Sequence, residues 1–354
     1  MTTYFRSSID AMTGYIPGEQ PKPGTKFIKL NTNENPYPPS PEALKVLQNL
    51  DSEWLRRYPD AYANEFRQAI SEVLDVPVDW IIVGNGSDDV LNLIVRACAE
   101  GERRVVYPMP TYVLYRTLAA MQPAHCIEIP YPADWGLPIT ELAAAEGAIT
   151  FIASPNSPSG HSVSVDELRQ LAAGVPGVLV IDEAYVDFAE TTALPLVREF
   201  ENVMVIRTLS KGYSLAGLRL GFGIANPNLL SGLFKVKDSY NIDAIACLVG
   251  AAAMRDQKYK NACAEQVKAS RARLAVDLKQ LGFAVADSQT NFLLAQVPEE
   301  NAATNAEQLY LGLKERGILV RYFNQPGLSN KLRITVGTEE QNQVLVEALV
   351  SLLG

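Results

Sequence analysis

A lysine placed just after a buried strand is the residue of this chain best suited to covalent chemistry. The apolar, β-branched run from Val203 ends at Arg207, and Lys211 follows in the short loop Ser210-Lys211-Gly212-Tyr213. A sheet holds such a lysine in place and can partly desolvate it. That favours the neutral amine, the form that attacks an aldehyde. Ser210 precedes it and Arg219 lies across the loop, before the glycine-rich run Gly221-Phe222-Gly223. A hydroxyl and a guanidinium together suit a phosphate. The pattern fits an aldehyde that also carries a phosphate, and it equally fits a lysine on a solvated loop.

Three upstream motifs bear on that choice. The strand-like run from Val178 ends in Asp182, with Tyr185 three residues on. A carboxylate there could hold a protonated ring nitrogen, and a phenol could face a ring oxygen. Asp182 and Glu183 could also simply end a strand. The run Ile149–Ala153 enters the turn Ser-Pro-Asn-Ser-Pro-Ser-Gly, where Asn156 could donate to the ring oxygen or serve the turn alone. In Gly84-Asn85-Gly86-Ser87-Asp88 a short strand passes into a helical pattern, and the free N–H groups of a helix start attract anions. That motif is weak alone. With Ser210 and Arg219 it makes a third contribution to one phosphate site, and the set describes pyridoxal 5'-phosphate.

The order of these motifs, with Pro110-Thr111-Tyr112 between them, resembles a fold-type I pyridoxal-phosphate-dependent aminotransferase. The runs NTNENPYPPSP from Asn31, RYPD from Arg57 and LRITVGT from Leu332 narrow the resemblance to the histidinol-phosphate aminotransferase family. It covers nearly the whole chain, from Gly14 to Gly337. One turn departs from the family's more usual N-P-N-x-P-T-G, but Asn156 is kept. The resemblance implies that Lys211 binds the cofactor covalently and later shuttles the proton. It implies that Asp182 holds the pyridine nitrogen, that Asn156 and Tyr185 face the ring oxygen, and that Tyr112 stacks on the ring. Gly86, Ser87, Asp88, Ser210 and Arg219 would cradle the phosphate. Tyr58 would reach the phosphate of a neighbouring subunit, making the working unit a homodimer with composite sites.

Composition sets the frame. The chain has 354 residues, enough for two domains, with 20% charged and 47% hydrophobic residues. Its 31 basic and 40 acidic side chains give a net charge of −9, which argues against nucleic acid as a partner. The four cysteines are widely spaced and read as reduced thiols of a cytoplasmic protein. The first residues lack a signal-peptide core, and no apolar run approaches the ~20 residues of a membrane span. With only His125 and His161, neither in a motif, metal clusters and Ser-His-Asp catalysis are not expected.

The elements that must position these residues follow from periodicity. Strand-like runs near 81–83, 105–107, 126–129, 150–153, 178–181, 203–206 and 221–225 alternate with helical patterns. This predicts an α/β fold with a mostly parallel sheet covered by helices, carrying its chemistry at strand ends. The fold class implied is a mostly parallel seven-stranded sheet in a large domain, with a smaller α+β C-terminal domain. The expected division is an N-terminal arm over 1–30 packing with the small domain, a large cofactor-binding domain over 31–245 and a small domain over 246–354. The amphipathic stretch 227–254 reads as a long connector.

For substrate, Arg321 sits at a strand end and Arg333 inside an apolar strand. By resemblance Arg333 anchors an anionic group, and a second arginine suits a phosphate. Tyr15, Asn33 and Tyr240 are further expected contacts. The implied reaction is transamination of L-histidinol phosphate with 2-oxoglutarate, giving imidazole-acetol phosphate and glutamate, a step of histidine biosynthesis. An aromatic amino acid aminotransferase and a threonine-phosphate decarboxylase are alternatives on the same fold. A cofactor-sensing regulator would need a DNA-binding domain, for which the chain has no basic segment.

Overall fold

The computed structural model of the protein describes residues 4–14, 18–21, 24, 26–298 and 305–354. Seven strands form the central sheet: β2 (Ile81–Gly84), β3 (Gly101–Met109), β4 (Ala124–Pro130), β5 (Ile149–Ala153), β6 (Val178–Asp182), β7 (Val203–Thr208) and β8 (Gly221–Ala225). Their spatial order is β2-β8-β7-β6-β5-β3-β4. The strands from β7 to β4 are parallel, while β8 runs antiparallel to both β7 and β2. Helices cover both faces, so the central strands are continuous apolar runs rather than alternating ones. All five residues of β5 and all five of β8 are buried.

The reversal of β8 matters for the site. A parallel neighbour would require a crossover helix, whereas β7 returns directly through residues 209–220. The Leu209 N–H donates to the Leu220 carbonyl at 2.9 Å and closes that loop. Lys211 and Arg219 are thereby carried on one connection at one edge of the sheet.

The second unit is built on an antiparallel sheet in the order β12 (Arg321–Tyr322), β13 (Lys331–Thr335), β10 (Phe292–Gln296) and β9 (Ala284–Val285). Helices Gln257–Gln280, Ala306–Glu315 and Glu339–Leu353 pack against it through Leu274, Leu278, Leu309, Leu313, Leu345 and Leu349. The last two of these helices open on capping boxes, Asn305 with Gln308 and Thr338 with Gln341.

Two expectations change. The stretch 227–254 is not one connector but two helices, Pro227–Val236 and Ala244–Arg255, separated by a segment that contains Tyr240. The second helix buries Ala246, Cys247, Val249 and Met254 in the same core as Phe66, Ile70 and Ile81 of the large unit. Part of the span expected in the small domain thus packs in the core of the large unit, and Asp256 then caps helix Gln257–Gln280 through the Tyr259 N–H. The arm also divides. Strand β1 (Ile28–Lys29) pairs in parallel with β11 (Ile318–Leu319), and Lys314 meets Glu19 at 2.8 Å, so this part joins the small unit. Helix Ser7–Ala11 instead lies against helix Leu114–Met121 of the large unit, with Arg6 donating to the Met121 carbonyl at 2.8 Å. No helix among the described residues is long and apolar enough to cross a membrane.

Candidate active site

The C-terminal ends of β5, β6 and β7 open into a cleft whose far wall comes from the arm and from β12 and β13. Most of the residues singled out by sequence line it: Asn33, Ser87, Asp88, Tyr112, Asp182, Tyr185, Ser210, Lys211, Arg219, Arg321 and Arg333. Lys211 is half-buried, and its Nζ donates to the Thr32 carbonyl at 3.1 Å. The same nitrogen lies 5.8 Å from the centre of the Tyr185 ring. Gly212, directly after it, packs on Asp187 so closely that a Cβ would stand 2.2 Å from the carboxylate oxygen.

Asp182, the last residue of β6, is buried at the cleft floor. Burial pushes its carboxyl up to about 6, although hydrogen bonds from Tyr115 and from the Ala184 N–H act in the opposite direction. Those bonds are 2.9 Å from the Tyr115 hydroxyl to Oδ2 and 3.1 Å from the Ala184 N–H to Oδ1. Glu183 turns away from the cleft into a buried pair with Arg207 at 2.8 Å and accepts from the Ala193 N–H at 2.6 Å. The neighbouring carboxylates thus separate into one facing the cleft and one pinning the turn beneath it. Tyr185 accepts a hydrogen bond from Asn33 Nδ2 at 2.9 Å, which leaves its own hydroxyl proton to be offered into the cleft. Asn33 is held in the left-handed region, φ 57°, by Thr335, which donates to its Oδ1 and accepts from its N–H, both at 3.0 Å.

At the other end, Gly86 caps helix Ser87–Cys98, whose first N–H groups lack helical partners. A Cβ on Gly86 would stand 2.6 Å from the Arg219 guanidinium, and one on Gly221 would stand 2.2 Å from the Ser87 nitrogen. Gly221 is thus required by close approach of backbone, and Gly86 by its left-handed φ of 85°. Ser210 Oγ receives hydrogen bonds from Thr208 at 2.9 Å and Arg219 at 3.4 Å. Arg219 also adopts a left-handed φ of 55°. The Asp88 carboxylate accepts from Tyr112 at 3.1 Å and Arg219 at 3.3 Å. Its side chain therefore orients the ring and the guanidinium, leaving its backbone N–H for an anion.

On the small-unit wall, Arg333 donates to Ser157 Oγ at 3.1 Å and to the Asn31 carbonyl at 3.0 Å, with its guanidinium 5.2 Å from the Phe292 ring centre. Arg321 lies 5.4 Å from the Phe323 ring centre. Two guanidiniums therefore face the same cleft from neighbouring antiparallel strands, where Arg321 is the register partner of Arg333.

Three expected residues stand elsewhere. Asn156 is fully buried behind the wall. Its amide donates to the Pro110 carbonyl at 3.1 Å and to Ser159 Oγ at 2.8 Å, and its Oδ1 accepts from Thr111 at 2.7 Å. With both N–H groups used, it secures the turn and the cleft edge instead of offering a donor. Tyr58 is 83% exposed and Tyr240 50%; their rings stack with centroids 4.7 Å apart, and neither lines the chain's own cleft. Tyr15 lies outside the described residues. Sequence reasoning also passed over Thr111, Tyr115 and Thr208. Tyr115 is separated from Asp182 by 67 positions, and no local signal announces that pairing.

A family model for aminotransferase class I and II matches residues 25–349. Histidinol-phosphate aminotransferase 1 of Trichormus variabilis is 67% identical over 353 residues, covering 100% of both chains. Histidinol-phosphate aminotransferase of Citrifermentans bemidjiense is 43% identical over 347 residues, covering 97% of each. The fold is similar to that of histidinol-phosphate aminotransferase from Sinorhizobium meliloti in complex with pyridoxal-5'-phosphate. The TM-score is 0.88 at 24% identity, over 99% of each chain.

Proposed function

Because the chain belongs to the class I and II aminotransferases, we propose that it transfers an amino group between L-histidinol phosphate and 2-oxoglutarate, a step of histidine biosynthesis, with pyridoxal 5'-phosphate as cofactor. The observation that carries this reading is the 67% identity, along the whole chain, to a relative named for that substrate.

The cleft fits the cofactor. Asp182 is a carboxylate whose burial calls for a cationic partner, and a protonated pyridine nitrogen provides one. The start of helix Ser87–Cys98, Ser210 and Arg219 line the same cleft, with Arg219 within 3.4 Å of both Ser210 Oγ and the Asp88 carboxylate. When bound, pyridoxal 5'-phosphate supplies the aldehyde that captures the amino group and the ring that takes up the electron pair left by the departing proton.

The chain's own residues do the rest. Lys211 Nζ, held at the Thr32 carbonyl, would be the amine that takes the cofactor's aldehyde and, once released, the base placed to carry a proton. Asp182, buried at the cleft floor, would hold a protonated ring nitrogen of the cofactor. Tyr185, fixed by Asn33, would offer its hydroxyl to the ring oxygen, and Tyr112, tied to Asp88, would lie against the ring. Arg321 and Arg333 receive the phosphate of one substrate and the distal carboxylate of the other in turn.

The homodimer belongs to the same proposal. Trp54, Leu55, Tyr58, Tyr62 and Tyr240 are exposed large apolar side chains, and a second copy of the chain would cover them and receive Tyr58 at its phosphate site. A cytoplasmic location completes the reading. The test presents L-histidinol phosphate, phenylalanine and threonine phosphate with 2-oxoglutarate to the protein loaded with cofactor. Glutamate is expected to form fastest from the first. Faster transfer from phenylalanine, or release of carbon dioxide from threonine phosphate, overturns the substrate assignment.

A further inference from the structure

We infer that Tyr115 is a positioning residue for amino transfer: its hydroxyl orients the Asp182 carboxylate at the cleft floor, and its ring supports Tyr112, which covers the cleft. The inference rests on the proposed function for what Asp182 faces when loaded, but its geometry stands independently.

Tyr115 is fully buried on helix Leu114–Met121. Its ring stacks on Phe151 of β5, with centroids 4.5 Å apart and 7° between planes, and it meets the Tyr112 ring edge to face at 5.7 Å. Packed this way, the phenol has one direction in which to point, and there it donates to Asp182 Oδ2 at 2.9 Å. Burial holds its acidity far below that of a free phenol, so it remains a donor at every working pH.

The choice of a neutral donor has a consequence. A cation at this position would compete with a ring nitrogen for the carboxylate, whereas a phenol orients the carboxylate without neutralising it. The other groups around Asp182 are accounted for. The Ala184 N–H holds Oδ1, Glu183 is paired with Arg207 and Asp88 with Arg219, while Lys211 and Tyr185 line the cleft above. Tyr115 is thus the side-chain donor that bonds to Asp182 from the core side.

The variant Tyr115→Phe keeps the ring and removes only the hydroxyl. In the ligand-free protein, thermal unfolding is followed from pH 4 to 8 in two backgrounds, wild type and Asp182→Asn. Loss of the donor raises the Asp182 pKa, so the deficit of the variant is expected to grow as pH rises through about 6. In the Asp182→Asn background that pH dependence should vanish. In the loaded enzyme kcat should fall roughly tenfold or more, with KM changed less than about threefold, as expected for an effect at the cofactor rather than on substrate binding. A deficit that is the same at every pH and in both backgrounds would mean packing alone and would overturn the inference, as would kcat within about twofold of the parent. The ligand-free arm is independent of the amino donor. A wrong substrate assignment would leave it intact.

Discussion

At the scale of single residues the site is a set of opposed environments. Lys211 reaches into an open cleft, while Asp182 lies in a low-dielectric floor that opposes its charge. Lys211→Ala is expected to lose turnover by several orders of magnitude while retaining some cofactor through the phosphate contacts. Borohydride treatment followed by peptide mapping checks this, and cofactor fixed to a different lysine would refute the assignment. For Asp182 the sign of the pH effect is definite. Its folded-state pKa is raised to about 6 from 3.8, so the penalty is absent below about pH 4 and is incurred as pH rises through 6. Asp182→Asn should therefore stabilise the ligand-free protein at pH 7 to 8, by on the order of 3 kcal/mol, and should leave it unchanged near pH 4. The same variant should be almost inactive when loaded. Thermal unfolding with and without cofactor separates the two effects, and a variant less stable than wild type at pH 8 would contradict the first.

Elements position these groups through close backbone approach. The reversal of β8 carries Arg219 back beside the start of helix Ser87–Cys98, and Gly221 touches the Ser87 nitrogen where no Cβ could fit. Gly221→Ala must push the helix start away from Ser210 and Arg219. Cofactor affinity should fall at least tenfold, about 1.4 kcal/mol. Gly217, in the same loop but with open space around its Cβ position, serves as the comparison, and Gly217→Ala should bind normally. Titration with pyridoxal 5'-phosphate reads both, and equal affinities would sink the argument. The turn beneath the floor is pinned in a similar way, since Glu183, one residue beyond Asp182, is anchored by Arg207 and by the Ala193 N–H.

At the scale of the whole molecule, the arm joins the two units. Asn31 and Thr32 offer their carbonyls to Arg333 and Lys211, and Asn33 reaches Tyr185, so consecutive residues touch both walls of the cleft. The exposed Tyr58–Tyr240 stack is where the proposed homodimer can be tested. Wild-type protein mixed with excess Tyr58→Ala Lys211→Ala double variant should form heterodimers in which the intact Lys211 site lacks the partner's tyrosine. Activity per wild-type subunit at limiting cofactor should fall. Unchanged activity in those heterodimers, or an active monomer by sedimentation, would exclude the composite site.

What the sequence determined by itself was local in origin. The buried runs, the glycine-marked helix start at Ser87 and the residues at strand ends follow from periodicity and turn chemistry, and the adjacent strands β6 and β7 then bring Asp182 and Lys211 to one cleft. The phosphate set was read from the same motifs, and the family resemblance added Tyr58, the place of Tyr112 and the direction of Arg333 towards the site. Only the tertiary structure decided which donors were already used and which core each helix joins. Asn156 spends its amide on Pro110 and Ser159, and helix Ala244–Arg255 sides with the large unit although its small apolar residues suit either core. Tyr115 became visible in the same way: a hydrogen bond between residues on different elements depends on how helix Leu114–Met121 docks against β5 and β6, and no window of sequence contains that information.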